Sequence, residues 1–97
     1  ICSGLPTDKF TFYGFLPKKE KKKKDFFHKI KNKEETIITY ESPHRIKKTI
    51  ELMKQTIPDK DIVLAREMTK RFEEFIRGKV KDIESKDYKG EIVLVIK

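Results

Sequence analysis

A single cysteine, Cys2, stands among 97 residues, and that rules out an internal disulfide. With only His28 and His44 beside it, no set of metal-ligating side chains can be assembled at a workable spacing, so a zinc site is not expected. No apolar run approaches the length of a membrane span and no signal-peptide pattern opens the chain, so the expectation is a cytoplasmic protein with no membrane contact. The first residue is Ile1 rather than methionine and CSGLPTD carries no polar leader, which reads as a piece of something longer. Apolar residues make up 36% and charged residues 41%: enough for one small two-layer domain, 1–97, and too little for an enzyme of several lobes.

What the chain has in excess is positive charge, +8 in all. Between Lys9 and Lys33 ten lysines face only Glu20 and Asp25, which accounts for the whole imbalance. A block of this kind is an electrostatic footprint for nucleic acid. Its densest part, Lys18, Lys19, Lys21, Lys22, Lys23 and Lys24, is expected to hold no fixed structure because like charges repel. It reads either as a flexible arm on phosphates or as a solvated loop. Lysines supply 20 of the 24 cations, so the four arginines, Arg45, Arg66, Arg71 and Arg77, are the more informative ones.

The stretch around which the chain is organised is TIITYESPHR, Thr36 to Arg45. A β-branched run ends in a carboxylate, and Ser42 then serves as an N-cap with Pro43 at the first helical position. Arg45 falls in the third helical position, where the helix dipole disfavours a cation. Two readings fit: a salt bridge to Glu41 or another local acid, or a helix start at which His44, Arg45 and free backbone N–H groups face a ligand's phosphate or carboxylate.

Along the chain, SGLPTD is a turn-rich entry and Phe10 to Leu16 reads as a strand with Phe10, Phe12 and either Phe15 or Leu16 turned to the core, and with Gly14 marking a bulge or a close approach. From Asp25 a helix is expected, with Phe26, Phe27 and Ile30 as its stripe. Ile46, Ile50, Met53 and Ile57 recur at spacings of four, three and four, the buried face of a helix from Pro43 to about Thr56. IVLAR, 62–66, reads as a buried strand; in 69–78 Phe72, Phe75 and Ile76 fit a helix as well as a strand, and the aromatic and branched residues favour a strand over 72–76 with Gly78 as its turn. A short helix from Val80 to about Lys86 and a last strand, EIVLVI at 91–96, complete the reading. Five strands interleaved with three helices predict an α/β two-layer domain with a mixed sheet.

Taken in order, SGLPTDKF (3–10), GFLPKK (14–19), ITYESPHR (38–45), VLAREMTK (63–70), Arg77-Gly78 and GEIVLVI (90–96) resemble the C-terminal half of the bacterial small-subunit ribosomal RNA 2′-O-ribose methyltransferases of the tetrapyrrole methylase family. Lys9 stands where arginine is usual and Lys79 where threonine is usual. The resemblance implies a homodimeric enzyme of two α/β halves that holds S-adenosylmethionine in the cleft between them. It implies methyl transfer to the 2′-hydroxyl of a cytidine in 16S ribosomal RNA of the small ribosomal subunit. It also implies that the N-terminal half, with its glycine-rich loop, is absent here, so that this half alone is inactive.

Carried over by position, the resemblance implies cofactor contacts at Cys2, Ser3, Tyr40, Ala65 and Gly90. It points to Asp8, Glu41, Ser42, His44, Arg45, Arg66, Glu67, Thr69 and Lys70 as residues that shape the cleft or meet RNA. The RNA- or anion-binding set is then Lys18, Lys19, Lys21, Lys22, Lys23, Lys24, His44, Arg45, Arg66 and Lys70. Glu41, His44 and Glu67 have the chemistry of a general base for an unactivated hydroxyl. Two other functions compete: a small-molecule tetrapyrrole methylase, which gives no reason for the basic block, and a non-catalytic RNA-binding module.

Overall fold

Which alternate positions of a strand are apolar decides whether it buries one face or two. In the computed structural model, which describes residues 10–67 and 72–97, the strands β2 (Thr36–Glu41), β3 (Asp61–Glu67) and β5 (Glu91–Ile96) are apolar on both faces and take the centre of the sheet. At its edges lie β1 (Phe10–Phe15) and β4 (Phe72–Lys79), giving the order β1-β2-β5-β3-β4. β1 runs parallel to β2, while β5 is antiparallel to both β2 and β3, so β1, β2 and β3 all point the same way. The connections between these three strands are α1 (Glu20–Ile30) and α2 (Ile46–Thr56). This is the expected α/β two-layer domain with a mixed five-stranded sheet.

Both helices cover one face of the sheet. Phe27 and Ile30 of α1 and Ile46, Ile50 and Met53 of α2 pack on Ile37, Ile62, Leu64, Ile92, Leu94 and Ile96. The expected stripe of α2 is therefore its buried face. Ile38, Val63 and Val95 form a second cluster on the opposite face of the sheet. Among the described residues no helix is long and apolar enough to cross a membrane.

Four expectations are corrected. The lysine run holds a fixed structure: α1 begins at Glu20, and Lys23, Phe27 and Ile30 form its buried stripe. The repulsion expected there acts on Lys21, Lys22 and Lys24, which point to solvent where charges are screened. β1 lies in the opposite phase to that expected, with Phe10 and Phe12 exposed and the Tyr13 ring packed edge-on against Phe26. Gly14, at φ +73, does mark a bulge, after which Leu16 enters the core and its N–H donates to the Tyr40 carbonyl at 3.1 Å. Gly78 is not a turn, since β4 continues through it to Lys79 opposite Asp61. The helix expected after Val80 is only a 3₁₀ turn, Val80–Asp82, whose Val80 enters the core, so two α-helices and this turn stand where three helices were expected.

Candidate functional site

Because β1, β2 and β3 are parallel, Phe15, Glu41 and Glu67 all arrive at one edge of the sheet, where β5 begins at Glu91. In open α/β sheets this carboxyl edge is where ligands bind. The chain leaves β2 there through the elbow Glu41 to Arg45 and enters α2.

Glu41 is the hub of that elbow. Its side chain is fully buried, and Oε2 accepts from Lys23 Nζ at 2.7 Å and from Thr49 Oγ1 at 2.5 Å. Lys23 Nζ also donates to Thr49 Oγ1 at 2.8 Å. Oε1 accepts from the Ser42 N–H at 2.8 Å and from Arg45 Nε at 3.4 Å. One carboxylate therefore joins the end of β2 to both helices, with each oxygen holding two donors. α2 begins at Ile46 with Arg45 as its N-cap, three residues later than the sequence reading placed it. Ser42 caps the preceding turn instead, its Oγ accepting from the His44 N–H at 3.2 Å.

Two hollows flank the elbow. On the open face of the sheet, a cavity of about 520 Å³ is lined by Phe15, Tyr40, Glu41, Ser42, Pro43, Glu67, Glu91, Ile92 and Val93. Strand register explains its apolar wall: Phe15 pairs with Tyr40, Tyr40 with Val93, Val93 with Ala65, and Ala65 with Phe75, so these five form one row across the sheet. The Phe12 and Phe15 rings pack on Tyr40 at 5.2 and 5.4 Å between centroids. On the helix face, a groove of about 480 Å³ is lined by Lys18, Glu20, Lys23, Arg45, Lys48, Glu51, Leu52 and Gln55.

The fold thus brings Tyr40, Ala65, Glu67 and the turn at Gly90 to the cavity side, and Lys18, Lys23 and Arg45 to the groove side. Cys2, Ser3, Asp8, Thr69 and Lys70 lie outside the described residues. His44 is exposed and lines neither hollow. Arg66 is held by the Glu74 carboxylate and by the Lys89 carbonyl at 3.2 Å, so its guanidinium ties β3 to β4 and to the turn before β5. Lys19, Lys21, Lys22 and Lys24 are exposed on α1 or just before it. The sequence reading missed Phe15 and Glu91 in the cavity and Lys48 in the groove. Lys48 was within reach of that reading, since it stands three residues after Arg45 on the same side of α2.

The family model for tetrapyrrole (corrin/porphyrin) methylases matches residues 2–84. Ribosomal RNA small subunit methyltransferase I of Bacillus subtilis (strain 168) is 41% identical over 100 residues, covering 99% of this chain and 34% of that protein. The protein of the same name from Streptococcus pyogenes serotype M3 (strain MGAS315) is 43% identical over 100 residues, covering 99% and 35%. That from Hydrogenobaculum sp. (strain Y04AAS1) is 42% identical over 102 residues, covering 99% and 44%. The chain therefore spans between a third and a half of the length of these relatives. Among solved structures, the methyltransferase CobJ superposes with a TM-score of 0.65 at 14% identity over 97% of this chain and 43% of that one, a likeness of fold.

Proposed function

The chain belongs to the tetrapyrrole (corrin/porphyrin) methylase family, and on that footing we propose that it is the C-terminal part of an S-adenosylmethionine-dependent enzyme that methylates the 2′-hydroxyl of a cytidine in 16S ribosomal RNA. The observation that carries the reading is the pair of unlike hollows on either side of one rigid elbow: an apolar cavity with carboxylates and a basic groove. The relatives named above support ribosomal RNA as substrate, and the fold supports a site at the carboxyl edge.

The cavity fits the donor by size and lining. Its volume lies within the usual range for small-molecule sites, its wall is aromatic and aliphatic, and Glu67 and Glu91 add negative charge. S-adenosylmethionine supplies an electrophilic methyl group on a positively charged sulfur. Phe15, Tyr40, Ile92 and Val93 offer the apolar surface, and the Tyr40 ring can also face a cation. Glu91 suits the donor's hydroxyl and ammonium groups, and Glu67 is our choice for the group that takes the ribose proton. It reaches the cavity and has no side-chain partner among the described residues, whereas each Glu41 oxygen already holds two donors. In this proposal Glu41 positions the elbow.

The rest of the protein, including the N-terminal half that the family provides, would close the cavity over the aromatic row. A small-molecule tetrapyrrole methylase is the second reading, and the basic groove gives it no support.

The test is transfer of labelled methyl from S-adenosylmethionine to purified small ribosomal subunits by the full-length protein. Label in a cytidine ribose is the expected result. A folded, donor-binding protein that leaves the RNA unlabelled would overturn the proposal.

A further inference from the structure

The groove on the helix face is a separate site from the donor cavity, with a lining of a different chemistry. α1 and α2 follow parallel strands, so both helices begin at the carboxyl edge of the sheet. The groove runs from the start of α1 along α2. Of the six lysines in 18–24, Lys18 and Lys23 line it beside Glu20, and α2 has no acidic residue in its first turn.

The cations differ in how far they are engaged. Lys23 is buried and committed to Glu41 and Thr49. Arg45 gives Glu41 only its Nε, at 3.4 Å, and its side chain is 34% exposed, which leaves the outer nitrogens toward the groove. Lys18 and Lys48 are exposed and have no ion-pair partner among the described residues. Glu20 and Glu51 also line the groove, so it is not uniformly basic.

We propose that this groove binds the RNA phosphate backbone, with Lys18, Arg45 and Lys48 as its contacts, while Lys23 acts only by holding the elbow in place. The inference rests on the RNA reading above and adds to it where the strand runs. Backbone is the fitting ligand because the lining contains no aromatic ring on which a base could stack, and Lys18 and Lys48 contribute point charges that carry no base information. Glu20 and Glu51 narrow the choice further. Carboxylates repel every phosphate, that of RNA included, but they can accept hydrogen bonds from the 2′-hydroxyls, a compensation that DNA and free phosphate cannot offer. The elbow contributes to both hollows, Glu41, Ser42 and Pro43 to the cavity and Arg45 to the groove, so a strand in the groove passes beside the segment that lines the donor cavity.

The experiment compares full-length wild-type protein with the double variant Lys18→Gln/Lys48→Gln. Binding of a fluorescein-labelled fragment of 16S ribosomal RNA is titrated across salt concentrations, with S-adenosylmethionine binding measured by calorimetry on the same preparations. Loss of two phosphate contacts to single-stranded RNA should make the slope of log K against log salt shallower by about 1.4, with weaker binding at low salt and unchanged donor affinity. A charge-matched control, Lys81→Gln/Lys86→Gln, changes two lysines that do not line the groove and should keep the wild-type slope. Equal slopes for the two double variants would overturn the groove as the RNA track, and loss of donor binding in the first would overturn its separation from the cavity. Failure of the wild-type protein to bind the RNA at all would sink the RNA reading itself.

Discussion

At the scale of single residues, Glu41 and Lys23 show how one buried ion pair organises an edge of the sheet. Their side chains are 0% and 6% exposed, the ammonium donates to Glu41 and Thr49, and each carboxylate oxygen holds two donors. Such a pair adds little compared with apolar residues of the same shape, but removing one partner strands the other as a buried charge. Glu41→Ala should therefore cost about 3–5 kcal/mol by urea unfolding, and Lys23→Met in that background should recover a large part. Additive losses in the double variant would show that the pair is not the source of the effect. Tyr88 gives a pH signature of its own. It is buried with its hydroxyl donating to the Glu84 carbonyl at 3.1 Å, and burial raises its pKa above the ordinary 10.0. The native state keeps that proton longer than the unfolded chain does. Its contribution is thus complete below pH 10 and is lost as pH rises through the folded-state value. Unfolding measured across alkaline pH should fall less steeply for Tyr88→Phe than for the wild type.

At the scale of elements, what could be read from sequence was whatever carries its own period. Ile46, Ile50, Met53 and Ile57 announce α2, and the runs 62–66 and 91–96 announce β3 and β5, because long apolar patterns have few ways to be buried. Residues 18–24 were misread because their charge hides Lys23, whose alkyl stem and ammonium are both accommodated inside. The phase of β1 was misread for a different reason. A bulge shifts the alternation, so Phe12 and Phe15 both pack on Tyr40 although three residues separate them. The cavity was legible only in part. Tyr40, Glu41, Ser42 and Glu67 were singled out by motif, whereas Phe15 and Glu91 reach it through strand order, which no local pattern reveals. The bulge itself can be tested. Gly14 sits at φ +73 with open space where a Cβ would go, so Gly14→Ala should cost about 1–2 kcal/mol from backbone strain alone. A smaller loss in urea unfolding would show that the bulge tolerates an L-residue side chain.

At the scale of the whole molecule, the two faces of the sheet have different fates. The helix face is closed by α1 and α2, while the opposite face presents Phe10, Phe12, Phe15 and Tyr40 at 57%, 54%, 70% and 36% exposure. Aromatic side chains gathered on one face around a buried cluster mark a surface that another layer covers. The chain spans about a third of the Bacillus relative, and in the function proposed above the remainder of a full-length protein covers that face. Phe12 separates this assignment from an open surface. Burying the exposed half of a phenylalanine contributes about 1–1.5 kcal/mol, so Phe12→Ala should destabilise the full-length protein by about that much beyond its effect on the isolated 97-residue chain. The isolated chain, if it folds, should in turn bind a hydrophobic dye that the full-length protein excludes. Equal effects of Phe12→Ala in the long and short chains would mean that the aromatic face stays open to solvent. The cavity beside it would then have no second wall, and Glu67 would act in water, where a carboxylate is a weaker aid to removing a ribose proton than in a closed site.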